Sequence, residues 1–436
     1  NNYSFNFFLI DKEKYLKTET KNKSKKNYKF NKYNVFSHDI ISLGSFFLNA
    51  NDYILFPTKN HTHDKKLFLE DVYNHFYNSE FFYDNNSGFL QNNLQLINYY
   101  FQNNIKVSPL KELETLGQEK IKGKIVFFNR AFDPSYIETG RAYGAAGDQR
   151  FAGPAAAAKF GAVGAIVRSL TESLDNYPHT GTTRFAEGEK KIPAAAISTI
   201  AANQLSDLLK QKDGDLYFYF KQNCQLLPDV KSYNVVGEIT GTEKPNEFIT
   251  VGGHLDSWDL AEGAHDDGTG IVQSIEVLRI FKSIGIKPKH SVRAVLFMDE
   301  ENGGRGGDKY LELALKNKEI HIAAIESDGG GFTPRGFTFE GVTPKGLAKI
   351  NADWQKLFVP YLSERLMSGG SGSDIEPLSA YKDIVLIGFK ADSQRYFDIH
   401  HTPNDVFENV NKRELELGAA SMAALVYLID SYGISK

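Results

Sequence analysis

From residue 233 to the end, the sequence alternates apolar runs with amphipathic segments, and this pattern constrains the fold more than any other feature. The segment 268–282 repeats apolar residues at helical spacing. Strands that alternate with helices indicate a largely parallel sheet covered on both faces. In such sheets, functional side chains collect at the carboxyl ends of the strands. The predicted strands are 248–252, 292–298, 322–325 and 384–389.

Five clusters of polar residues lie between the predicted strands and helices. Three closely follow a predicted strand, one opens a predicted helix, and one follows the last strand at a greater distance. Acidic and imidazole side chains at successive strand ends are hard to explain by packing alone. In chain order the clusters are His254–Asp256, Asp266–Gly268, Glu300–Glu301, Asp328–Gly329, and His400–His401 with Asp405.

Each of these residues also has an ordinary structural interpretation. His254 alone is compatible with a structural histidine, Asp266 with a helix N-cap and Asp328 with a turn residue. Asp256, two residues after His254, could accept the second ring N–H and fix the tautomer, which is the usual support for a metal-bound imidazole. The metal interpretation therefore depends on the set as a whole.

The run Asp299–Glu301 is the strongest single signal for a metal. Three consecutive carboxylates at the end of an apolar strand repel one another, and a divalent cation would offset that repulsion. One carboxylate of an adjacent pair can bind the metal while the other reaches the bound water. Nitrogen and carboxylate donors without thiolate favour catalytic zinc over manganese or cobalt, and there are enough of them for two metals.

At these motifs the sequence resembles the dinuclear zinc exopeptidases related to aminopeptidases and glutamate carboxypeptidases, particularly bacterial members of the plasma glutamate carboxypeptidase branch. The resemblance runs from about residue 108 to 436, roughly three quarters of the chain. It rests on GGHLDSWDLAEGAHDDGTG (252–270), MDEENGG (298–304), ESDGG (326–330), GGSGSDIEPL (369–378) and HHTPNDV (400–406).

The resemblance implies a metal-dependent exopeptidase that hydrolyses dipeptides or short peptides through a hydroxide held by two zinc ions. Glu300 would be the general base, and Asp256 would orient a ligand histidine. The family pattern His-Thr/Ser-x-x-Asp selects His401 over its neighbour His400. Five residues would bind zinc: His254 and Asp328 one ion, Glu301 and His401 the other, and Asp266 both.

The resemblance also implies the domain organisation. Residues 232–436 would form a three-layer α/β/α zinc-peptidase domain with a mixed, mostly parallel sheet. Residues 108–231 would form an inserted protease-associated α/β domain that acts as a lid. Ser373 and Asp374, in the Gly-rich stretch, would contact substrate, although a flexible turn is equally compatible with that sequence.

Residues 1–107 form a divergent N-terminal segment, expected to pack on the catalytic domain or to be part of it. Residues 1–104 hold 24 of the 54 Phe and Tyr residues but only 2 of the 37 Gly. Apolar residues at helical spacing predict helices within 68–76 and 90–101. No family motif can be aligned with this segment, and its role is open.

Composition excludes several other functions. A net charge of -4 does not favour binding to nucleic acid. The sequence contains no run of about 18 apolar residues, so it predicts no membrane-spanning helix. The single cysteine, Cys224, excludes an intrachain disulfide and a cysteine zinc cage, and it is expected to be buried and inert. The family and the start at Asn1 together favour export to the periplasm or beyond, and the family suggests a homodimer.

Two other functions remain as alternatives. One is a receptor or binding module that has lost its metals, which the complete set of ligand residues argues against. The other is a single-zinc glutaminyl cyclase chemistry, which the presence of two ligand sets argues against. The zinc content per chain separates all three.

Overall fold

The computed structural model describes residues 109–211, 216–225 and 227–436, together with the backbone of two strands, 7–11 and 95–97. Contacts divide the described chain into two compact units. One comprises the described residues within Asn1–Pro134 and Ala142–Leu226. The other comprises Ser135–Arg141 and Leu227–Lys436.

The first unit is built on a six-stranded mixed sheet in the order β1-β6-β2-β3-β4-β5. The strands from β2 to β5 run parallel, and β6 is antiparallel to both of its neighbours. The apolar runs at 122–129, 162–168 and 215–221 predict strands, and the structure confirms them as β3, β4 and β6. The six strands are β1 (Phe7–Asp11), β2 (Gln95–Ile97), β3 (Lys124–Phe128), β4 (Gly164–Arg168), β5 (Ala194–Ile197) and β6 (Leu216–Phe220).

Two short parts of the N-terminal segment belong to this first sheet. Strand β1 pairs with β6, and β2 pairs with β3. The helix predicted across 90–101 is therefore wrong at Gln95–Ile97, because pairing with β3 favours the extended form and a short apolar run does not separate strand from helix. The two strands join the first unit rather than the expected catalytic domain. The predicted helix within 68–76 lies outside the described residues.

Buried side chains cover both faces of the first sheet. Adjacent residues of a strand point to opposite faces, so Phe127 and Phe128 enter different clusters, both almost fully buried. Cys224, expected to be buried, is exposed after the end of β6. Partial burial nonetheless raises the pKa of its thiol, which lowers the thiolate fraction at neutral pH.

The second unit contains a seven-stranded sheet in the order β12-β11-β13-β10-β8-β9-β7. Its four middle strands, β13, β10, β8 and β9, are mutually parallel, whereas β7 and β11 run antiparallel to their neighbours β9 and β13. This confirms the predicted mixed, mostly parallel sheet. The strands are β7 (Val235–Ile239), β8 (Lys244–His254), β9 (His290–Phe297), β10 (Ile320–Glu326), β11 (Pro334–Glu340), β12 (Arg365–Ser368) and β13 (Val385–Ala391).

Helices cover both faces of this second sheet. Val277, Trp354 and Val426 come from three helices that share one core cluster with the sheet. Tyr310 comes from a helix in a separate cluster with Val295. The described helices are α1 (Pro109–Ile121), α2 (Thr139–Ala146), α3 (Asp148–Phe151), α4 (Gly153–Lys159), α5 (Thr199–Lys210), α6 (Thr269–Ser283), α7 (Arg305–Asn317), α8 (Pro344–Phe358), α9 (Tyr396–Ile399) and α10 (Lys412–Tyr432). Within the described part of the chain, no helix is long and apolar enough to cross a membrane.

The segment Ser135–Arg141 belongs to the second unit although it lies within the sequence of the first. The Thr139 hydroxyl donates to the carbonyl of Ser393, and Arg365 forms a 3.0 Å ion pair with Glu138. Gln394 donates to the carbonyl of Ile137. These contacts hold the segment against the start of β12 and the loop that precedes α9.

Helix α10 begins with a side-chain cap at Asn411. Its Oδ1 accepts hydrogen bonds from the amides of Arg413 and Glu414, at 2.9 and 3.2 Å. Asn411 and Glu414, three residues apart, match the sequence pattern of a reciprocal capping box. Only half of that box forms, because the Glu414 carboxylate is engaged by Arg395 and Thr333 instead. Packing with neighbouring segments thus redirects the second half of the motif.

We expect Asn411→Ala to lower the free energy of unfolding by about 1 kcal/mol, because two amides at the start of α10 lose their acceptor. Urea unfolding followed by tryptophan fluorescence measures this, since Trp258 and Trp354 both lie in the second unit. Lys412→Ala, at an exposed position in the same turn, is the control. Equal effects of the two substitutions would contradict the assigned cap.

Candidate active site

The four parallel strands of the second sheet lead to the predicted clusters at one edge. Strand β8 ends at His254, which pairs in register with Phe297 at the end of β9. The Asp299–Glu301 turn follows β9, and Asp328 follows β10. Because these strands are parallel, their carboxyl ends meet at the same edge, as the sequence predicts.

One group of donors forms around His254. Its Nε2 lies 3.3 Å from Asp266 Oδ1 and 3.6 Å from Asp328 Oδ1. The three ligand atoms lie within 4.8 Å of one another, close enough to hold a single ion. His254 is only 1% exposed, so the donors are presented from the interior of the unit.

A second group forms on the other oxygen of Asp266. His401 Nε2 lies 3.1 Å from Asp266 Oδ2 and 3.4 Å from Glu301 Oε2. His400 also reaches Asp266 Oδ2, at 3.4 Å, and its ring stacks on His401 with centroids 3.5 Å apart. Both histidines reach Asp266. His401 also approaches Glu301, and this additional contact favours it as the ligand.

The electrostatics of the site favour a cation. Burial alone would lower the pKa of His254, but the Asp266 and Asp328 carboxylates raise it well above its usual value. Burial acts in the same direction on His401, and the carboxylates of Asp266 and Glu301 raise its pKa to about 10. Positive charge is therefore favourable at both rings, and a metal ion would compete there with a proton.

The donor set fits zinc. Within the described residues, His254 Nε2, Asp266 Oδ2 and Asp328 Oδ1 are buried and have no hydrogen bond of good geometry. Buried polar atoms of this kind normally have a partner, and an ion held between them would provide it. Imidazole and carboxylate donors in the absence of thiolate are the ligands of catalytic zinc.

Asp256 contacts His254 differently from the sequence-based expectation. His254 Nδ1 lies 2.8 Å from the main-chain carbonyl oxygen of Asp256, whereas the Asp256 carboxylate is 4.0 Å away. That carboxylate instead accepts three backbone N–H groups, those of Asp299, Glu300 and Glu301, at 2.7 to 3.2 Å. Three convergent amides satisfy a carboxylate better than one ring nitrogen, so the side chain holds the acidic turn in place.

Two further carboxylates support the site without facing its donors. Asp405 accepts the amides of His265 and Asp266, at 2.7 and 3.0 Å, and so fixes the backbone of the shared carboxylate. Asp267 accepts the amide of His254 at 3.0 Å, and a Cβ at Gly253 or Gly270 would collide with it. The sequence marks Asp405 as part of a cluster but gives no signal for the role of Asp267.

Glu300 lies beside the donor groups and is held by Ser373. Burial, followed by repulsion from Asp328, raises the pKa of Glu300 to about 7. The Ser373 hydroxyl donates to Glu300 Oε1. Ser373 itself is exposed.

Asp374 differs from the expectation of direct substrate contact, because it is only 1% exposed. Burial, followed by repulsion from Glu326, raises the pKa of Asp374 to about 9. Glu326 accepts the amide of Ile375 at 2.9 Å and thereby fixes the same loop. The loop turns Ser373 outward and Asp374 inward.

Comparison with known proteins identifies the family. The profile of peptidase family M28 matches residues 234–426. A peptidase M28 precursor from Shewanella amazonensis SB2B is 30% identical, with a TM-score of 0.70 over 76% of this chain and 73% of that one. The chain belongs to peptidase family M28. The resemblance seen in the sequence is thereby confirmed.

Carboxypeptidase Q proteins are similar to this M28 chain over most of its length. The protein from Bos taurus is 32% identical over 323 residues, which cover 74% of this chain. The protein from Xenopus laevis is 35% identical over 327 residues, with the same coverage. The chain spans 66% of the length of each of these relatives.

We expect Asp256→Ala to weaken zinc binding about 10- to 100-fold, because the turn carrying Glu301 loses its anchor. Zinc per chain, measured after dialysis against buffers of defined free zinc, gives the result. Asp259→Ala, an exposed carboxylate in the same loop, is the control. Wild-type zinc affinity in Asp256→Ala would contradict the anchoring role.

Proposed function

We propose that this M28 chain is a metal-dependent exopeptidase that hydrolyses dipeptides or short peptides with two zinc ions. The observation that carries the proposal is that Asp266 presents Oδ1 to His254 and Oδ2 to His401. A carboxylate shared in this way links two donor groups and suits a two-metal site. Family membership and the similarity to carboxypeptidase Q support the same activity.

The proposed ligands follow from the two groups. His254 and Asp328 would hold one ion, and Glu301 and His401 the other, with Asp266 common to both. Three carboxylates among these five residues offset most of the charge of two divalent ions, so both histidines can bind in their neutral form. When bound, zinc supplies Lewis acidity that polarises the scissile carbonyl and lowers the pKa of water.

Glu300 is the proposed general base. It lies in one donor group with His254 and Glu301, and its Oε1 is held by the Ser373 hydroxyl. A carboxylate at this position can accept a proton from the attacking water and return it to the leaving amine. Its neighbour Glu301 faces His401, so the two adjacent carboxylates divide the roles of base and ligand.

The remaining parts are assigned from position and family. Ser373 would contact substrate as well as Glu300, and Asp374 would support the loop from the interior. The α/β unit that contains β3 to β6 would be a protease-associated domain. Export from the cytoplasm and a homodimer stay predictions.

We expect Glu300→Gln to keep its zinc but to lose turnover by at least about 100-fold, because the amide cannot accept the proton. Zinc content and dipeptide hydrolysis measured on the same sample separate the two effects. Glu312→Gln, which changes an exposed carboxylate on α7, is the control. Retained turnover in Glu300→Gln would overturn the assigned base.

Substrate termini test the exopeptidase assignment. We expect zinc-loaded protein to hydrolyse unblocked dipeptides and to lose activity when one of the two termini is blocked. Two zinc ions per chain with this activity support the proposal. One zinc ion with cyclisation of N-terminal glutamine would support the cyclase alternative, and absence of zinc binding would support the non-catalytic one.

A further inference from the structure

We propose that Trp258 is a positioning residue for the half-site formed by Glu301 and His401, and that its indole N–H sets the affinity of that half-site for zinc. The inference rests on the proposed two-zinc function. Trp258 lies in the segment between β8 and α6, on the same side of the unit as the donor groups. It contacts both residues of this half-site.

The first contact is a hydrogen bond to the proposed ligand Glu301. Trp258 Nε1 donates to Glu301 Oε2 at 2.6 Å. The indole N–H is a donor only, so it can pair only with an acceptor, and this bond fixes the position of Glu301 Oε2. The bond also restricts rotation of a side chain that would otherwise sample several rotamers.

The second contact is with the ring of His401. The two ring centroids lie 5.3 Å apart, and the ring planes are inclined by 42°. The same indole thus limits the movement of the carboxylate and of the imidazole. Glu301 and His401 already approach to 3.4 Å, which places both donors ready for one ion.

The loop that carries Trp258 is fixed at both ends to the segments that bear these ligands. On one side, the Asp256 carboxylate accepts the amides of the turn that contains Glu301. On the other side, the Glu262 amide donates to the carbonyl of Asp405 at 3.2 Å, and the Glu262 carboxylate accepts the amide of Phe407 at 3.0 Å. Trp258 is therefore held between two anchored points rather than on a free loop.

The other half-site has different supports. His254 is oriented by the main-chain carbonyl of Asp256, and its own amide is held by Asp267. Loss of the indole N–H should therefore act selectively on one of the two ions. A general loss of stability would weaken both half-sites together, which distinguishes the two explanations.

The test is zinc titration of Trp258→Phe against a chromophoric chelator. Phenylalanine keeps an aromatic ring beside His401 but removes the donor to Glu301. We expect one ion to bind as in the wild type and the other about 10- to 100-fold more weakly. Trp354→Phe, at a buried position on α8, is the matched control and should bind both ions normally.

The control also provides a readout that leaves Trp258 intact. The chain has two tryptophans, so Trp354→Phe leaves Trp258 as the only one. We expect its emission to change when cobalt fills the half-site it contacts. Emission that stays constant while both ions bind would overturn the proposal even if Trp258→Phe failed to fold.

The outcomes separate this inference from the proposed function. Wild-type protein that binds two zinc ions, with one weakened in Trp258→Phe, supports both. Two ions bound with unchanged affinity in Trp258→Phe overturns the positioning role alone. Fewer than two ions in the wild type overturns the proposed two-zinc function on which the inference rests.

Discussion

Repulsion among carboxylates at the ends of parallel strands is the constraint on which the second unit depends. The fold brings Asp266, Glu301 and Asp328 together at one edge of the sheet, and Asp266, which contacts both histidines, is buried there. Two nearby histidines respond with raised pKa values, so the site attracts positive charge. A bound metal cation would neutralise the same carboxylates. Metal ions and protons therefore compete for this site.

Backbone amides, rather than other side chains, hold much of this acidic assembly. Asp256 gathers three amides from one turn, and Asp405 gathers two from the segment of the shared carboxylate. Amide donors satisfy a carboxylate without adding a mobile side chain, so the donor atoms are fixed before any ion arrives. This preorganisation links the fold to the proposed chemistry, because a small displacement of a ligand oxygen changes affinity strongly.

Much of the site could be predicted from sequence because periodicity locates strands and strand ends locate function. The polar clusters do come together. The family resemblance, rather than periodicity, selects His254, Asp266, Glu301, Asp328 and His401 within them. The role of the Asp256 carboxylate could not be found, because it depends on a turn 43 residues away. Asp374 lies in a Gly-rich stretch whose direction only tertiary packing determines.

The fold shows the same division between local and distant causes. Apolar periodicity predicts long strands such as β9 and β10. It does not predict β11, which begins with a proline, a residue that disfavours strand formation. Exposed edge strand β7 lacks a buried face and gives no periodic signal. The N-cap at Asn411 follows from the local sequence. The Glu414 side chain instead accepts a hydrogen bond from Arg395, which lies in another segment.

The placement of Ser135–Arg141 makes the proposed catalytic unit discontinuous along the chain. Thr139 and Glu138 contact Ser393 and Arg365, and Ser393 lies just ahead of α9, the helix that leads to the histidine pair. A boundary drawn at Leu227 would therefore separate the unit from seven residues that it uses. A chain cut at that boundary would leave Ser393 and Arg365 without the partners that Thr139 and Glu138 provide.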